Sequence, residues 1–318
     1  MPEELHRIDT HHHIIPPDYV DSLAKIGVSS SLGVNLPSWS AQSTLEMMDR
    51  NGIRVAITSI SSPGVYFNDT NFTFKLARQC NEISAKLIMD YPQRFGAFAT
   101  LPLPNIENAL KEIEYSMDNL NLDGIVLLTN YAGKYLGHQD FKEVFAELHR
   151  RKAVVYVHPT DPPGKNPLGE HVPTFLMEVT FDTTRAIANL IYSGTLEKYP
   201  DISFIFAHAG GTAPFLAWRI SLGTFVWPDA IQNAPKDAFS YLKLLYYDTG
   251  LSASPYALRC LQELVDYSHI LFGSDYPFAP EIITTETIKG IASYDGFNAE
   301  SKRAIEEKNA INLFPRFA

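Results

Sequence analysis

Short runs of β-branched and aromatic residues recur along the chain, each followed by a longer stretch in which apolar side chains return every three or four positions. The first pattern is that of a strand and the second that of an amphipathic helix, so their alternation predicts βα units around a parallel sheet. Eight strand-like runs carry it, at 6–13, 55–61, 95–102, 124–130, 153–159, 203–210, 244–250 and 270–277. Helical patterns fill the gaps at 43–52, about 72–91, 105–120, 141–151, 183–199, 213–222, 255–267 and 282–292, and a further helix at about 298–311 is expected to cap the barrel. Eight strands with eight helices predict an α/β protein, a closed and distorted (β/α)8 TIM barrel, in preference to an open doubly wound sheet. In such a barrel the active site lies at the C-terminal ends of the strands.

The length of 318 residues is compatible with one barrel, and no linker or low-complexity tract interrupts it, so residues 1–318 read as a single domain. The segment 158–175 is the longest stretch rich in proline and glycine. It follows the fifth run, which marks it as a lid or pocket wall. Trp39, Phe67, His171 and Phe181 stand where they could line the pocket or merely pack.

Hydrophobic residues make up 45% and charged residues 19% of the chain, an ordinary globular composition with no run of about 20 apolar residues for a membrane span. The acidic beginning lacks the apolar stretch of a signal peptide, so a cytoplasmic location is expected. Cys80 and Cys260 are too few for a disulfide framework, and both read as core thiols. A net charge of -10 with scattered basic residues argues against nucleic acid as a partner.

Candidate chemistry gathers at the strand ends. Along a strand the side chains alternate, so Asp9, His11 and His13 should face one way and Thr10, His12 and Ile14 the other. Two imidazoles at i and i+2 near the end of a barrel strand can chelate one metal. His12, on the opposite side, reads as a packing or surface residue. His158 closes the fifth run and His208 the sixth, both where strand becomes loop. Three histidine-bearing strand ends in one barrel point to coordination. Asp275, in LFGSDYPF, supplies an anion that can ligate metal and move a proton. Asp248, in YYDTG, is the rival carboxylate and reads as a helix-capping or turn residue.

At these residues the chain resembles a known family. Asp-x-His-x-His on the first run, His-Pro on the fifth, His-Ala-Gly-Gly on the sixth and Gly-Ser-Asp-Tyr-Pro on the eighth resemble the amidohydrolase superfamily. The segments 91–103, 182–200 and 309–316 narrow the likeness to the branch of aminocarboxymuconate-semialdehyde decarboxylase and the o-hydroxybenzoate decarboxylases.

The resemblance implies that His11, His13, His158 and Asp275 are metal ligands, with His208 beside the metal as an acid/base or substrate-orienting group. It matches Arg219 to an arginine that reaches a neighbouring subunit's substrate carboxylate, which implies a homodimer or a dimer-based oligomer. No lysine after the third or fourth run stands where a carbamylated bridge would be needed, so one divalent ion per chain is expected. Zinc suits three imidazoles and a carboxylate, and manganese accepts the same ligands. The implied activity is non-oxidative decarboxylation of a small aromatic carboxylic acid, an o-hydroxybenzoic acid such as 6-methylsalicylate, with release of CO2. Such an enzyme belongs to aromatic acid and secondary metabolism. Two alternatives use the same scaffold: a metal-dependent hydrolase of a lactone or related ester, and a barrel retained for binding alone.

Overall fold

Eight parallel strands pair in sequence order, each hydrogen-bonded to the next, in a computed structural model that describes residues 5–164 and 169–318. They are β1 (Arg7–His13), β2 (Ile53–Ser59), β3 (Phe95–Thr100), β4 (Gly124–Leu128), β5 (Val154–His158), β6 (Ser203–Phe206), β7 (Tyr246–Asp248) and β8 (Ile270–Leu271). Each of the eight expected runs overlaps a strand, and the last three strands cover half or less of their sequence runs. The ends of the sheet meet through the segment that follows β8. Thr10 N donates to Phe272 O at 2.9 Å, Asp275 N to His11 O at 2.8 Å and His13 N to Tyr276 O at 2.8 Å. The sheet therefore closes into a barrel.

Alternation along the strands divides two cores. Ile8, Val55, Ile57, Phe98, Val126, Tyr156, Ile205 and Leu271 pack together in one cluster with Ala310, Phe314 and Phe317. Their strand neighbours, among them Ala97, Ile125, Val155, Phe204 and Tyr247, join the larger core formed with the helices. The C-terminal segment thus packs against the inward residues and caps the barrel, as expected. It does so as one unbroken helical run, α-helical over Ala299–Arg303 and Asn309–Leu313 with a π-helical turn, Ala304–Lys308, between them.

Several helices begin where a side chain satisfies their first backbone N–H groups. Ser40 caps Ala41–Arg50, Asp69 caps Thr70–Asp90, Asn105 caps Ile106–Glu114 and Ser254 caps Pro255–Leu264. The expected helix 183–199 is two helices, Glu178–Tyr192 and Thr195–Lys198, parted at Gly194, whose φ of 78° suits glycine. Pro255–Leu264 turns Leu258, Leu261 and Leu264 inward, which leaves Cys260 off the buried stripe and only half-buried. The core reading therefore holds for Cys80 and not for Cys260. Among the described residues no helix is long and apolar enough to cross a membrane.

The pairing of β1 with β2 shifts register at two places, between Arg7 and Ile8 and between Asp9 and His12, and the second breaks the strict alternation. Asp9 pairs with Ala56 and His12 with Thr58, so three steps on β1 match two on β2, which is a β-bulge. Asp9 and His12 were expected on opposite faces, yet His12 Nδ1 lies 2.9 Å from Asp9 Oδ2. The bulge turns Asp9 away from the direction expected for it beside His11 and His13. His12 is fully buried, so its surface reading is withdrawn and its packing reading stands.

Candidate metal centre

The strand ends carry the site. His11, His13, His158 and Asp275 each offer one ligand atom, and the four atoms lie within 4.8 Å of one another in a buried group. His11 Nε2 and His13 Nε2 are 3.1 Å apart, and Asp275 Oδ1 lies 3.1 Å from the first and 3.0 Å from the second. The barrel brings together β1, β5 and the turn after β8, which no local sequence segment could do.

Backbone geometry supports this convergence. Asp275 has a φ of 62°, a left-handed conformation uncommon for a residue with a side chain. It is held by Asp275 N donating to His11 O and by Asp9. Asp9 Oδ1 accepts from Ser274 N at 3.0 Å, and Asp9 Oδ2 from Ser274 Oγ at 2.5 Å. His11 fits only because glycines pass behind it. A Cβ on Gly273 would stand 2.7 Å from His11 Cβ, and one on Gly250 would stand 2.7 Å from His11 Nδ1.

The outer ring nitrogens are occupied in a way that leaves the inner ones for a ligand. His13 Nδ1 is 2.9 Å from Ser59 Oγ, whose own proton points to His12 O at 3.4 Å. His158 Nδ1 donates to Pro159 O at 2.8 Å. His11 Nδ1 lies 3.0 Å from Asp248 Oδ2, close enough for charge attraction though not aligned as a hydrogen bond. Each imidazole thereby turns Nε2 toward the others.

This arrangement fits a cation. The Nε2 of His158 is buried with no hydrogen-bond partner, a condition that costs roughly 1–3 kcal/mol unless something binds there. Two Nε2 atoms and a carboxylate oxygen crowd within about 3 Å, and such acceptors tolerate one another only with a positive charge between them. Without a metal a proton takes that place. Burial pulls His11 down, but Asp248 and Asp275 more than offset it and bring its pKa up to about 10. Burial, with the His11 charge added to it, pushes His13 down to about 4 against the pull of Asp275. Burial likewise holds His158 well below its usual value. Burial favours a protonated Asp275, yet the charge of His11 and bonds from His11 and His13 outweigh it and keep the carboxyl well below the usual range.

His208 stands next to this group without joining it. Its ring centroid is 4.8 Å from that of His11 and 5.7 Å from that of His158. Its Nδ1 lies 3.1 Å from Gly250 O and donates to it, and burial lowers its pKa, so the ring is neutral with Nε2 as an acceptor. His208 and Ala209 have φ of 56° and 54°, a tight turn that carries the ring over the barrel mouth.

Asp248 is the residue whose place in the site sequence reasoning missed. It is no helix cap, since Ser254 caps the next helix. Asp248 Oδ1 accepts from His208 N at 3.1 Å and Gly250 N at 2.8 Å, while Oδ2 accepts from Tyr156 OH at 3.0 Å and faces His11. One buried carboxylate thus holds a candidate ligand and the His208 turn. Strand parity could have found it: Tyr247 packs outward under the helices, so Asp248 must face in.

Above the four residues lies a cavity of about 300 Å3. His158, His208 and Asp275 form part of its lining, with Ser31, Ser61 and Ser62, and the remaining wall is apolar, including Leu32, Val34, Val179, Phe278 and Ile283. No lysine or arginine appears in that lining among the described residues. Part of the long loop does form a wall, since Phe175 lines the cavity, whereas 165–168 fall outside the described residues. Trp39 and Phe67 pack against the core, His171 is exposed, and Phe181 is half-buried; none of the four lines the cavity. Arg219 is exposed on the helix Ala213–Ser221 and is not brought to the cavity of its own chain.

The family model described as amidohydrolase matches residues 8–316. A 6-methylsalicylic acid decarboxylase of Penicillium expansum is 34% identical over 314 residues, covering 98% of this chain and 96% of that protein. Among solved structures, one described as an amidohydrolase II superposes with a TM-score of 0.91 at 31% identity, over 97% of this chain and 99% of the other. The manganese complex of 5-carboxyvanillate decarboxylase from Novosphingobium aromaticivorans shares the fold, with a TM-score of 0.88 at 21% identity and 99% coverage of both chains. With a family match that spans nearly its whole length and relatives above 30% identity along it, the chain belongs to the amidohydrolase family.

Proposed function

We propose that this protein is a metal-dependent, non-oxidative decarboxylase of an aromatic acid with an ortho hydroxyl, a 6-methylsalicylate-like compound being the best fit. The observation that carries the reading is a largely apolar cavity whose floor is a cation-binding cluster and whose described lining holds no lysine or arginine. An apolar ring fits those walls, and within its own chain an anionic head group finds compensation only at the floor. The 34% identity to a 6-methylsalicylic acid decarboxylase over nearly the whole chain supports the same substrate class. One divalent ion per chain, manganese or zinc, would supply the positive charge that anchors the carboxylate and phenolate oxygens and withdraws electron density from the ring.

His11, His13, His158 and Asp275 hold that ion, and the chain's remaining groups do the positioning and the proton transfer. Asp275 is ionised at rest, so it takes the phenol proton as the substrate binds. It then delivers that proton to the ring carbon bearing the carboxylate. The bond from that carbon to the carboxyl breaks, its electron pair returns to the ring, and CO2 leaves; the product oxygen regains a proton from water. His208, with Nδ1–H committed to Gly250, presents Nε2 at the cavity wall as an acceptor beside the substrate. The apolar walls exclude water from the ring carbon during the transfer.

The proposal includes a homodimer in which Arg219 meets the partner's substrate carboxylate. Arg219 is exposed, and its neighbours Phe215 and Trp218 are 80% and 66% exposed, a surface that association would cover. The whole of 1–318 acts as one barrel unit in this reading.

The test is metal analysis followed by a substrate panel monitored for CO2. Release of CO2 from o-hydroxybenzoates, and none from the same acids lacking that hydroxyl, is expected. Lactone hydrolysis without CO2 from any hydroxybenzoate overturns the decarboxylase reading and leaves the metal site intact.

A further inference from the structure

Each of the three ligand imidazoles is steadied through its outer nitrogen, but not in the same way. His11 faces Asp248 and His13 faces Ser59, whereas His158 Nδ1 has only Pro159 O, 2.8 Å away in the next residue. The direction of the His158 ring therefore depends on the backbone from 158 to 161.

That backbone is fastened at three points by two residues following β4. Thr129 N donates to His158 O at 3.0 Å, Thr160 N donates to Thr129 Oγ1 at 3.2 Å, and Asn130 Nδ2 donates to Asp161 O at 3.0 Å. Both residues are in turn aimed by one carboxylate. Asp182, in the helix Glu178–Tyr192, accepts a short bond from Thr129 Oγ1 and a bond from Asn130 Nδ2 at 3.3 Å on Oδ2, and one from Tyr135 OH at 2.6 Å on Oδ1. Asp182 is fully buried, and among the described residues no ion pair joins it to a lysine or arginine; its two oxygens are met by these neutral donors. A buried carboxylate of that kind is costly, and an apolar residue of similar size would cost less if helix packing were its only task.

We propose that Asp182 is a positioning residue for the metal centre, holding Thr129 and Asn130 in the orientation that presents His158 Nε2 to the ion. The chain runs from Asp182 through Thr129 to the peptides on either side of Pro159, and from Pro159 O to the His158 ring. A branch reaches the cavity wall, where Thr160 Oγ1 lies 3.1 Å from Ser62 Oγ. The hydroxyl of Thr129 is the central link, because it accepts from Thr160 N and donates to Asp182 at once. The inference rests on the metal-site reading of His158.

Manganese titration of metal-free protein tests it without reference to activity. Asp182→Ala and Thr129→Val are each expected to raise the Mn2+ Kd by about 10–100-fold, the range for loss of a supporting partner of a metal ligand. The double variant should be no worse than the weaker-binding single, because both break one chain. Tyr135→Phe removes a donor from the other oxygen and leaves the Thr129 link, so its Kd should stay within about twofold of wild type. A role in helix packing alone would lower Tm in Asp182→Ala while the folded protein kept its Kd, and that result overturns the proposal. If Asp182→Ala does not fold, Thr129→Val decides, and an unchanged Kd there is equally fatal. Wild type that binds no Mn2+ or Zn2+ overturns the metal-site reading itself, a result distinct from wild type and variants binding alike.

Discussion

Asp248 Oδ2 lies 3.0 Å from His11 Nδ1 while Oδ1 of the same carboxylate holds His208 N, so one buried aspartate steadies two imidazoles of the site. Asp248→Asn keeps the shape but puts an amide where either the backbone donors or the His11 side needs an acceptor. Metal affinity should fall by about 10–100-fold, read from the Kd of the metal-free protein for Mn2+ or Zn2+. An unchanged Kd would reduce Asp248 to a turn-forming residue.

Prolonged chelation should abolish activity, and one divalent ion per chain should restore it, because the four ligand groups describe one site. Elemental analysis alongside reactivation measures the stoichiometry. Two tightly held ions per active chain would refute the mononuclear site.

His158→Ala should bind less than stoichiometric metal after dialysis, since it removes one of four ligands. His12→Ala should keep one ion per chain and instead lose stability, about 2 kcal/mol, because the ring is fully buried and bonded to Asp9. Equal metal loss in both variants would mean that His12 turns toward the site.

Asp275→Asn removes a ligand charge and the proton carrier together, so turnover should drop by about 10²-fold or more. In D2O the wild type should place deuterium at the vacated ring carbon. A variant that keeps near-normal turnover after metal is restored would assign the proton to another group.

Arg219→Ala should raise KM by about tenfold or more and leave metal content unchanged, as expected for loss of a charged contact to a carboxylate. Mixing it with His158→Ala should recover activity if the guanidinium serves a neighbouring site, since one mixed-dimer site then has both groups intact. Mixtures no more active than their parents would confine Arg219 to its own chain.

Much of this was legible in one dimension. The alternation of strand and helix patterns is local, and it foretold all eight barrel strands because burial on a strand repeats every two residues and on a helix about every 3.6. His11, His13, His158 and Asp275 announced themselves as polar residues where an apolar strand ends. The limits were also physical. The bulge in β1 brings Asp9 to His12 because pairing with β2 absorbs an extra residue there, and nothing in IDTHHH shows it. Asp248 looked like a turn residue because YYDTG is followed by a helix start.

The sequence by itself determined the barrel, the strand order and which side chains stand at the strand ends, since each of these follows from short-range periodicity and chain order. Only the tertiary structure decided what those side chains meet. Asp182 sits on the buried stripe of its helix with Val179, Ala186 and Leu190, a position that marks it as unusual without naming its partners. Its partners Thr129, Asn130 and Tyr135 lie about fifty positions away in sequence. Closing the ring of strands brings such groups within hydrogen-bond reach, and a contact between distant segments leaves no periodic trace in either one.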